Sequence, residues 1–134
     1  MTAKEYLSQY RLLSDEINAK LDEAAKIRVL AERVTPSEQG SGGGIISDRV
    51  GQGAARLVDL EREIDREIER LVNLRSEIQE KIEEIEDARG KTILTERYIN
   101  GKSLLEISLK MNYDYGYICH LHGKFLEIIK KSIQ

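Results

Sequence analysis

Apolar residues recur at helical spacing along two long stretches of the chain. Over residues 4–34 they are three or four positions apart, which places them on one stripe of an amphipathic helix. Over residues 54–89 five of them lie seven positions apart on an otherwise charged segment, the spacing of a coiled-coil-like seam. The first stripe comprises Tyr6, Tyr10, Leu13, Ile17, Leu21, Ala24, Ile27 and Leu30. The second comprises Leu57, Ile64, Leu71, Ile78 and Ile85, with Leu60, Ile68, Leu74 and Ile82 beside them.

The segment between these helices, residues 35–55, has no apolar periodicity. Thr35-Pro36 ends the first helix, and the stretch SEQGSGGGIISDRVGQG holds six of the ten glycines, so we predict a flexible Gly-rich loop. A glycine-rich loop can also cradle a phosphate. GSGGG, however, lacks the Lys-Ser/Thr of a P-loop and follows no predicted strand, so a connector is the preferred interpretation.

The pattern changes after Arg89-Gly90 to short helices with distinct ends. Residues 91–100 predict a short amphipathic helix that stops at Asn100-Gly101, two residues that tolerate a left-handed backbone. Ser103 and Glu106 then have the spacing of a capping box, in which the hydroxyl and the carboxylate satisfy free amides at a helix start. A further helix is therefore predicted from Ser103.

Residues 104–123 fit the helix-turn-helix pattern. That pattern needs apolar and small residues on the first helix, a left-handed residue in the turn, an apolar residue after it, an N-cap, and apolar residues inside the second helix. These positions are filled in order by Ile107, Ser108, Met111, Asn112, Tyr113, Asp114, Ile118 and Leu121. The alternative is a plain pair of packed helices that fits by chance.

The predicted fold class is all-α. Residues 1–90 are expected to form a long antiparallel helical hairpin, coiled-coil-like, with its Gly-rich loop at about 35–55. Residues 91–134 are expected to form the helix-turn-helix module. The second hairpin helix, of about 35 residues, would be longer than the first, of about 30, and homodimerisation through the hairpin would cover the remaining seam.

Composition and charge limit the partners and the cellular compartment that the chain is expected to have. The net charge is −3, but residues 56–90 carry −5 and residues 91–134 carry +3, so a polyanion would be met by the C-terminal part. Cys119 is the single cysteine, which rules out an intramolecular disulfide. No stretch approaches the roughly 18 apolar residues of a membrane span, and the N-terminus lacks a signal-peptide core. We expect a cytoplasmic protein without a membrane partner.

The outward side of the second helix of the motif holds the candidate DNA-binding residues. They are Tyr115, Gly116, Tyr117, His120 and Lys124, with Ser103 and Asp114 at the two helix starts. No Arg, Asn or Gln, the residues that make bidentate base contacts, lies between Tyr113 and Leu126. Phosphate contacts are expected from lysines, namely Lys102, Lys110, Lys124, Lys130 and Lys131.

Metal binding and catalysis find little support. Cys119, His120 and His122 are potential zinc ligands, but they point in different directions on a helix, and the chain has no further Cys or His. No metal and no cofactor are therefore expected, and His122 is expected to pack or hydrogen-bond at the edge of its helix. No nucleophile–base or paired-carboxylate arrangement stands out, so we do not expect an enzyme.

The segment LTERYINGKSLLEISLKMNYDYGYICHLHGKFLEII resembles region four of sigma-70-type factors, where an R-Y/F…G…L-x-E-I-A pattern leads into a helix-turn-helix. The layout of hairpin, Gly-rich loop and this tail resembles small phage and prophage proteins related to the ArpU and RinA late-transcription regulators. The resemblance implies promoter recognition or activation of phage late genes in a bacterial host, alone or through host RNA polymerase. It places the DNA-facing positions at Asp114, Tyr115, Gly116, Tyr117, Cys119, His120 and Lys124. Sigma factors commonly have Arg or Gln at several of these positions, and this chain has none.

Two functions from different classes follow. The first is a phage-type transcription regulator that binds double-stranded DNA through the C-terminal helix-turn-helix. The second is a non-enzymatic phage structural or packaging adaptor that acts through its hairpin, which would explain the missing arginines. The salt dependence of binding to duplex DNA separates them, because only a phosphate-contacting protein has a steep negative slope.

Overall fold

The structure, a computed structural model, describes residues 1–34 and 43–134, and all regular elements in these ranges are helical. The prediction of an all-α fold is therefore confirmed for this part of the chain. The elements are α1 (Ala3–Val34), α2 (Gly43–Glu83), α3 (Ala88–Leu94), a π-helical turn (Thr95–Ile99), α4 (Leu104–Met111) and α5 (Tyr115–Ile133). Grouped by contacts, they form two compact units, residues 15–70 and residues 1–14 with 71–134. The sequence predicted a different boundary, at residue 90, between the hairpin and the helix-turn-helix module. That boundary stays a prediction.

Helix α2 begins earlier than the sequence predicted. It starts at Gly43 instead of Ala54, so residues 43–55, expected in the loop, are helical. Glycine lowers helix stability by about 1 kcal/mol relative to alanine but does not forbid the helix. A Cβ at Gly51 or Gly53 would meet nothing within 4 Å, so neither site requires glycine for steric reasons. The rest of the predicted loop, residues 35–42, lies outside the described residues.

Helix α2 also ends earlier than predicted, at Glu83 instead of Arg89. The next helix begins at Ala88, three residues before the predicted start at Lys91, because Asp87 accepts a hydrogen bond from the Arg89 amide and caps it. Ile85 stays buried although it lies outside both helices. The heptad spacing of apolar residues therefore extends beyond the end of α2, because Ile85 belongs to the core of the unit of residues 1–14 and 71–134.

In the unit of residues 15–70, the α1 and α2 segments run antiparallel. Lys20 of α1 bonds Glu67 of α2 and lies 3.6 Å from Glu63, whereas Arg28, further along α1, bonds Glu61 at 2.6 Å. Four residues of the predicted stripes are buried between them, namely Ile17, Ala24, Leu60 and Ile64. Three others are exposed, at 44% for Leu21, 57% for Leu30 and 41% for Ile68. The predicted seam is therefore covered only in part within this unit.

The second unit, residues 1–14 with 71–134, contains the larger core. Phe125 and Ile129 of α5 are buried in one cluster with residues of every other helix, α1 included. Leu7 of α1, outside the predicted stripe, is fully buried in that cluster, together with Ala3 one turn earlier. Tyr6 and Tyr10 of the predicted stripe pack against the same cluster, so the start of α1 contributes Ala3 and Leu7 in addition to the predicted positions.

The α4–turn–α5 segment follows the predicted local pattern closely. Ser103 and Glu106 form both hydrogen bonds of the capping box, Asn112 is left-handed at φ 58°, and Asp114 caps α5. Ile107, Ser108, Ile118 and Leu121 are all buried, as predicted. Tyr113 is an exception, because it is 38% exposed and contacts the Tyr117 ring edge-on instead of closing the turn. A buried phenol needs a hydrogen-bond partner, which the solvent supplies at the surface.

Replacing Asn112 by valine is expected to destabilise the protein by about 1 kcal/mol, since a β-branched residue pays the steric cost of the left-handed region. Asn112→Gly is the matched control, because glycine adopts this backbone without strain, and its stability should stay near that of the parent protein. Urea unfolding of both variants measures the difference. Equal stability of the valine and glycine variants would contradict a left-handed turn residue.

Candidate nucleic-acid interface

The buried side of α5 determines which residues it presents outward. Ile118, Leu121, Phe125 and Ile129 are three or four positions apart and face the core. The opposite side and its flanks are exposed and carry the predicted residues Gly116, Tyr117, His120 and Lys124. Tyr115 is also exposed, but two helical positions rotate a side chain by about 200°, so it lies on the other flank from Tyr117. The predicted set is therefore spread around the start of α5.

Two of the predicted DNA-binding residues are engaged as helix caps. The Ser103 hydroxyl accepts a hydrogen bond from the Glu106 amide at 3.1 Å, and the Asp114 carboxylate accepts one from the Gly116 amide at 3.0 Å. Each side chain satisfies an otherwise free amide at a helix start. Their first role is thus to fix where α4 and α5 begin, and hence where the exposed first turn of α5 points.

An arginine that the sequence analysis did not consider lies on the Tyr117 flank. Arg89, at the start of α3, donates two side-chain hydrogen bonds to Asp87, at 2.8 and 3.2 Å, and one from Nη1 to the Tyr117 hydroxyl. Tyr113 contacts Tyr117 from the side. We call Asp87, Arg89, Tyr113 and Tyr117 the Arg89 cluster. Hydrogen bonds from Arg89 lower the pKa of Asp87 to about 2 and keep its carboxylate charged.

The sequence indicated only one part of the Arg89 cluster, the pair of neighbouring residues Asp87 and Arg89. An Asp at the start of a short amphipathic segment is a candidate N-cap, and an Arg two residues later is a candidate partner for its carboxylate. The sequence offered no way to pair Arg89 with Tyr117, which lies 28 positions further along the chain. Only the packing of α3 against α5 brings the two together.

The other flank of α5 holds Tyr115, Cys119 and, close by, Arg97 of the π-helical turn. A hydrogen bond with Cys119 raises the pKa of Tyr115, and the positive charge of Arg97 opposes that rise. Arg97 also donates to the backbone carbonyl of Lys102 at 3.1 Å. Each flank of the exposed first turns of α5 therefore has an arginine from a preceding element near it. Arg89 is on the Tyr117 flank and Arg97 is on the Tyr115 flank.

The predicted phosphate-binding lysines differ in their surroundings. Lys110 pairs with Glu96 at 3.0 Å, and Lys102 lies 3.9 Å from Glu106, so a carboxylate offsets each charge. Lys124, Lys130 and Lys131 are exposed and have no carboxylate within 4.0 Å among the side chains of residues 1–33 and 51–134. Lys124, seven positions after Tyr117, and Lys131, fourteen positions after it, lie on the same side of α5 as Tyr117, and Lys124 is the nearer of the two.

His122 lies inside the edge of the module, as the sequence predicted. Its Nε2 shares a hydrogen bond of 2.7 Å with the hydroxyl of buried Tyr98, and the two rings stack with centroids 5.7 Å apart. Burial lowers the pKa of His122, and the positive charges of Arg97 and Lys4 lower it further. The neutral imidazole is therefore the form that the folded protein favours.

Lowering the pH from about 7 to about 5 is expected to destabilise the protein through His122. Because its folded pKa lies below the unfolded value, the unfolded state binds the proton first, so stability is full above the unfolded pKa and is lost as pH falls. Melting temperatures across this range should fall less in His122→Gln than in the parent protein. His120→Gln changes an exposed histidine and should keep the full pH dependence; the reverse order of the two variants would refute the assignment.

Among the described side chains, those of residues 1–33 and 51–134, no three His, Cys, Asp or Glu groups lie together to hold a metal ion. Over the same ranges, no helix combines the length and apolar character needed to cross a membrane. Comparison of the chain with models of known protein families, with curated proteins and with solved structures gave no match.

Proposed function

We propose that this chain is a phage-type transcription regulator that acts in the cytoplasm of a bacterial host and binds double-stranded DNA through α4, the turn and α5. The observation that carries the proposal is the exposed first half of α5. It is held on its inner side by Ile118 and Leu121 and carries Tyr117, His120 and Lys124 outward. A major groove about 12 Å wide admits one helix, and helix starts are the parts that reach base edges.

Charge supports the same surface. Residues 91–134 carry a net charge of +3, and Lys124 beside Tyr117 has no carboxylate within 4.0 Å among the described residues. A lysine without a carboxylate partner can exchange counterions for a DNA phosphate, which is the main source of salt-dependent affinity. Lys102 and Lys110 contribute less, because each has a glutamate neighbour.

Host RNA polymerase is the proposed protein partner. The outward residues of α5 include no Arg, Asn or Gln, so direct base contacts from this helix are few. A regulator with few base contacts gains affinity when a second protein bound to the same DNA contacts it, because the second binding step becomes intramolecular. The resemblance to region four of sigma factors points to polymerase as that protein.

The test is a fluorescence-anisotropy titration of the full chain against duplexes from its genomic neighbourhood, at two salt concentrations, with and without host RNA polymerase. The proposal predicts binding that weakens steeply with salt, either alone or with polymerase present. A single strand of the same sequence is the control that shows whether binding requires double-stranded DNA. Absence of binding under every condition would overturn the proposal.

Exposed apolar residues in the unit of residues 15–70 favour a second candidate, an adaptor or packaging component that acts through its hairpin. Leu30 and Ile68, both in predicted seams, are 57% and 41% exposed, and Val29 and Val58 are each 45% exposed. Exposed apolar surface of this kind is commonly covered by a partner, and we propose that the partner is a second copy of the hairpin. Sedimentation equilibrium distinguishes monomer from dimer. The adaptor function would become the leading one if the chain binds no DNA.

A further inference from the structure

We propose that Arg89, at the start of α3 and outside the helix-turn-helix, reads a guanine in the major groove beside α5. This makes Arg89 a specificity-determining residue, and it rests on the proposed function, since it requires α5 to lie in that groove. The observation behind it is the Arg89 cluster, which holds the guanidinium against the exposed first turn of α5. The cluster supplies the arginine that α5 itself lacks.

The hydrogen bonds of Arg89 leave two of its N–H donors unused. A guanidinium has five N–H donors. Asp87 takes one from Nε and one from Nη2, and the Tyr117 hydroxyl takes one from Nη1. One N–H therefore remains on each Nη atom, and the side chain is 35% exposed. Guanine presents two acceptors, O6 and N7, on its major-groove edge, which is the pairing that arginine makes most often.

The surroundings of Arg89 favour a base over a phosphate. The Asp87 carboxylate, 2.8 Å from Arg89 Nη2, offsets the positive charge and repels a second anion. Guanine is neutral, and its acceptors are attracted by the remaining N–H groups without that penalty. The charge of Asp87 also interacts with Lys124, but no carboxylate lies within 4.0 Å of the Lys124 ammonium among the described side chains, so Lys124 suits a phosphate better than Arg89 does.

Rigid positioning strengthens the inference. Arginine side chains lose about 2 kcal/mol of rotamer entropy when they are fixed. Here Asp87 and Tyr117 fix the guanidinium before DNA arrives, so little of that cost falls on binding. A partly exposed ion pair contributes little to stability, so Arg89 can be changed without unfolding the module.

The experiment is selection from a duplex library randomised over about 12 base pairs, slightly more than one turn of DNA. The full chain is compared as parent protein, Arg89→Ala, Arg89→Lys and Lys124→Ala. Arg89→Ala should lose the preference for G·C at one position, keep the preferences elsewhere, and bind the selected sequence about 5- to 150-fold more weakly. Arg89→Lys should lose the same preference while keeping the charge, which excludes a simple loss of positive charge.

Lys124→Ala is the matched control. It should weaken all selected sequences uniformly and reduce the salt slope by about 1, without changing any base preference. If both Arg89 variants select the parent consensus, Arg89 does not read a base and the inference is overturned while the proposed function stands. If the parent protein binds no duplex at any salt concentration, with or without host RNA polymerase, the proposed function fails and the inference fails with it. Circular dichroism of each variant checks that it is folded before its binding is compared.

Discussion

Gly90→Ala is expected to destabilise the protein by about 1–3 kcal/mol, although alanine is the better helix former. A Cβ at this position in α3 would lie 2.7 Å from two ring atoms of Phe125 and 2.8 Å from Ile85 Cγ2. Both neighbours are almost fully buried, so neither can move away without disturbing the core of the unit. The free energy of unfolding, measured in urea, should fall accordingly.

The same substitution at Gly123 is the matched control. Gly123 lies in α5, and a Cβ there would meet nothing within 4 Å. Gly123→Ala should therefore stabilise the protein by about 0.5–1 kcal/mol through helix propensity alone. Opposite signs at the two glycines are the expected result. A stabilising effect at both would mean that α3 does not approach α5 as closely as described.

Replacing His120 and Lys124 together by glutamate is expected to weaken duplex binding more than about tenfold, because two phosphate contacts become repulsive. Both residues are exposed on α5 and make no side-chain hydrogen bond or ion pair within the described ranges, so helicity should be kept. Anisotropy titrations at low salt measure the loss.

The control for this variant carries the same change in charge at other positions. Lys26→Glu with Asn73→Glu alters two exposed residues outside α4 and α5 and lowers the net charge by the same amount. It should bind duplex DNA far better than the α5 variant. Equal losses in the two variants would show that net charge alone governs binding, and the DNA surface would then have to lie elsewhere.

The candidate site was predictable where it depended on the exposed side of one helix. Tyr117, His120 and Lys124 follow from the position of the α5 N-cap and from its apolar residues, which are separated by three and four. The local charge balance was not predictable in the same way. Lys110 is offset by Glu96, fourteen positions earlier, and Arg89 reaches Tyr117 across 28 positions. The first pair depends on the packing of α4 against the π-helical turn, and the second on the packing of α3 against α5.

The sequence by itself determined the features that depend on a few neighbouring residues. The Ser103 capping box, left-handed Asn112 and the Asp114 cap are each set by the side-chain chemistry of one turn, and all three occur as predicted. The helical period of the apolar residues likewise determined the all-α class.

Only the tertiary structure decided the features that depend on distant partners. Leu7 and Ile85 are buried by the core of residues 1–14 and 71–134, and Gly90 is required there because the Phe125 ring lies against it. Leu30 and Ile68 lie in predicted seams yet remain exposed. A periodic pattern states which side of a helix is apolar, but burial and ion pairing depend on what packs against that side. Packing of this kind joins Arg89 to Tyr117, and no local pattern records it.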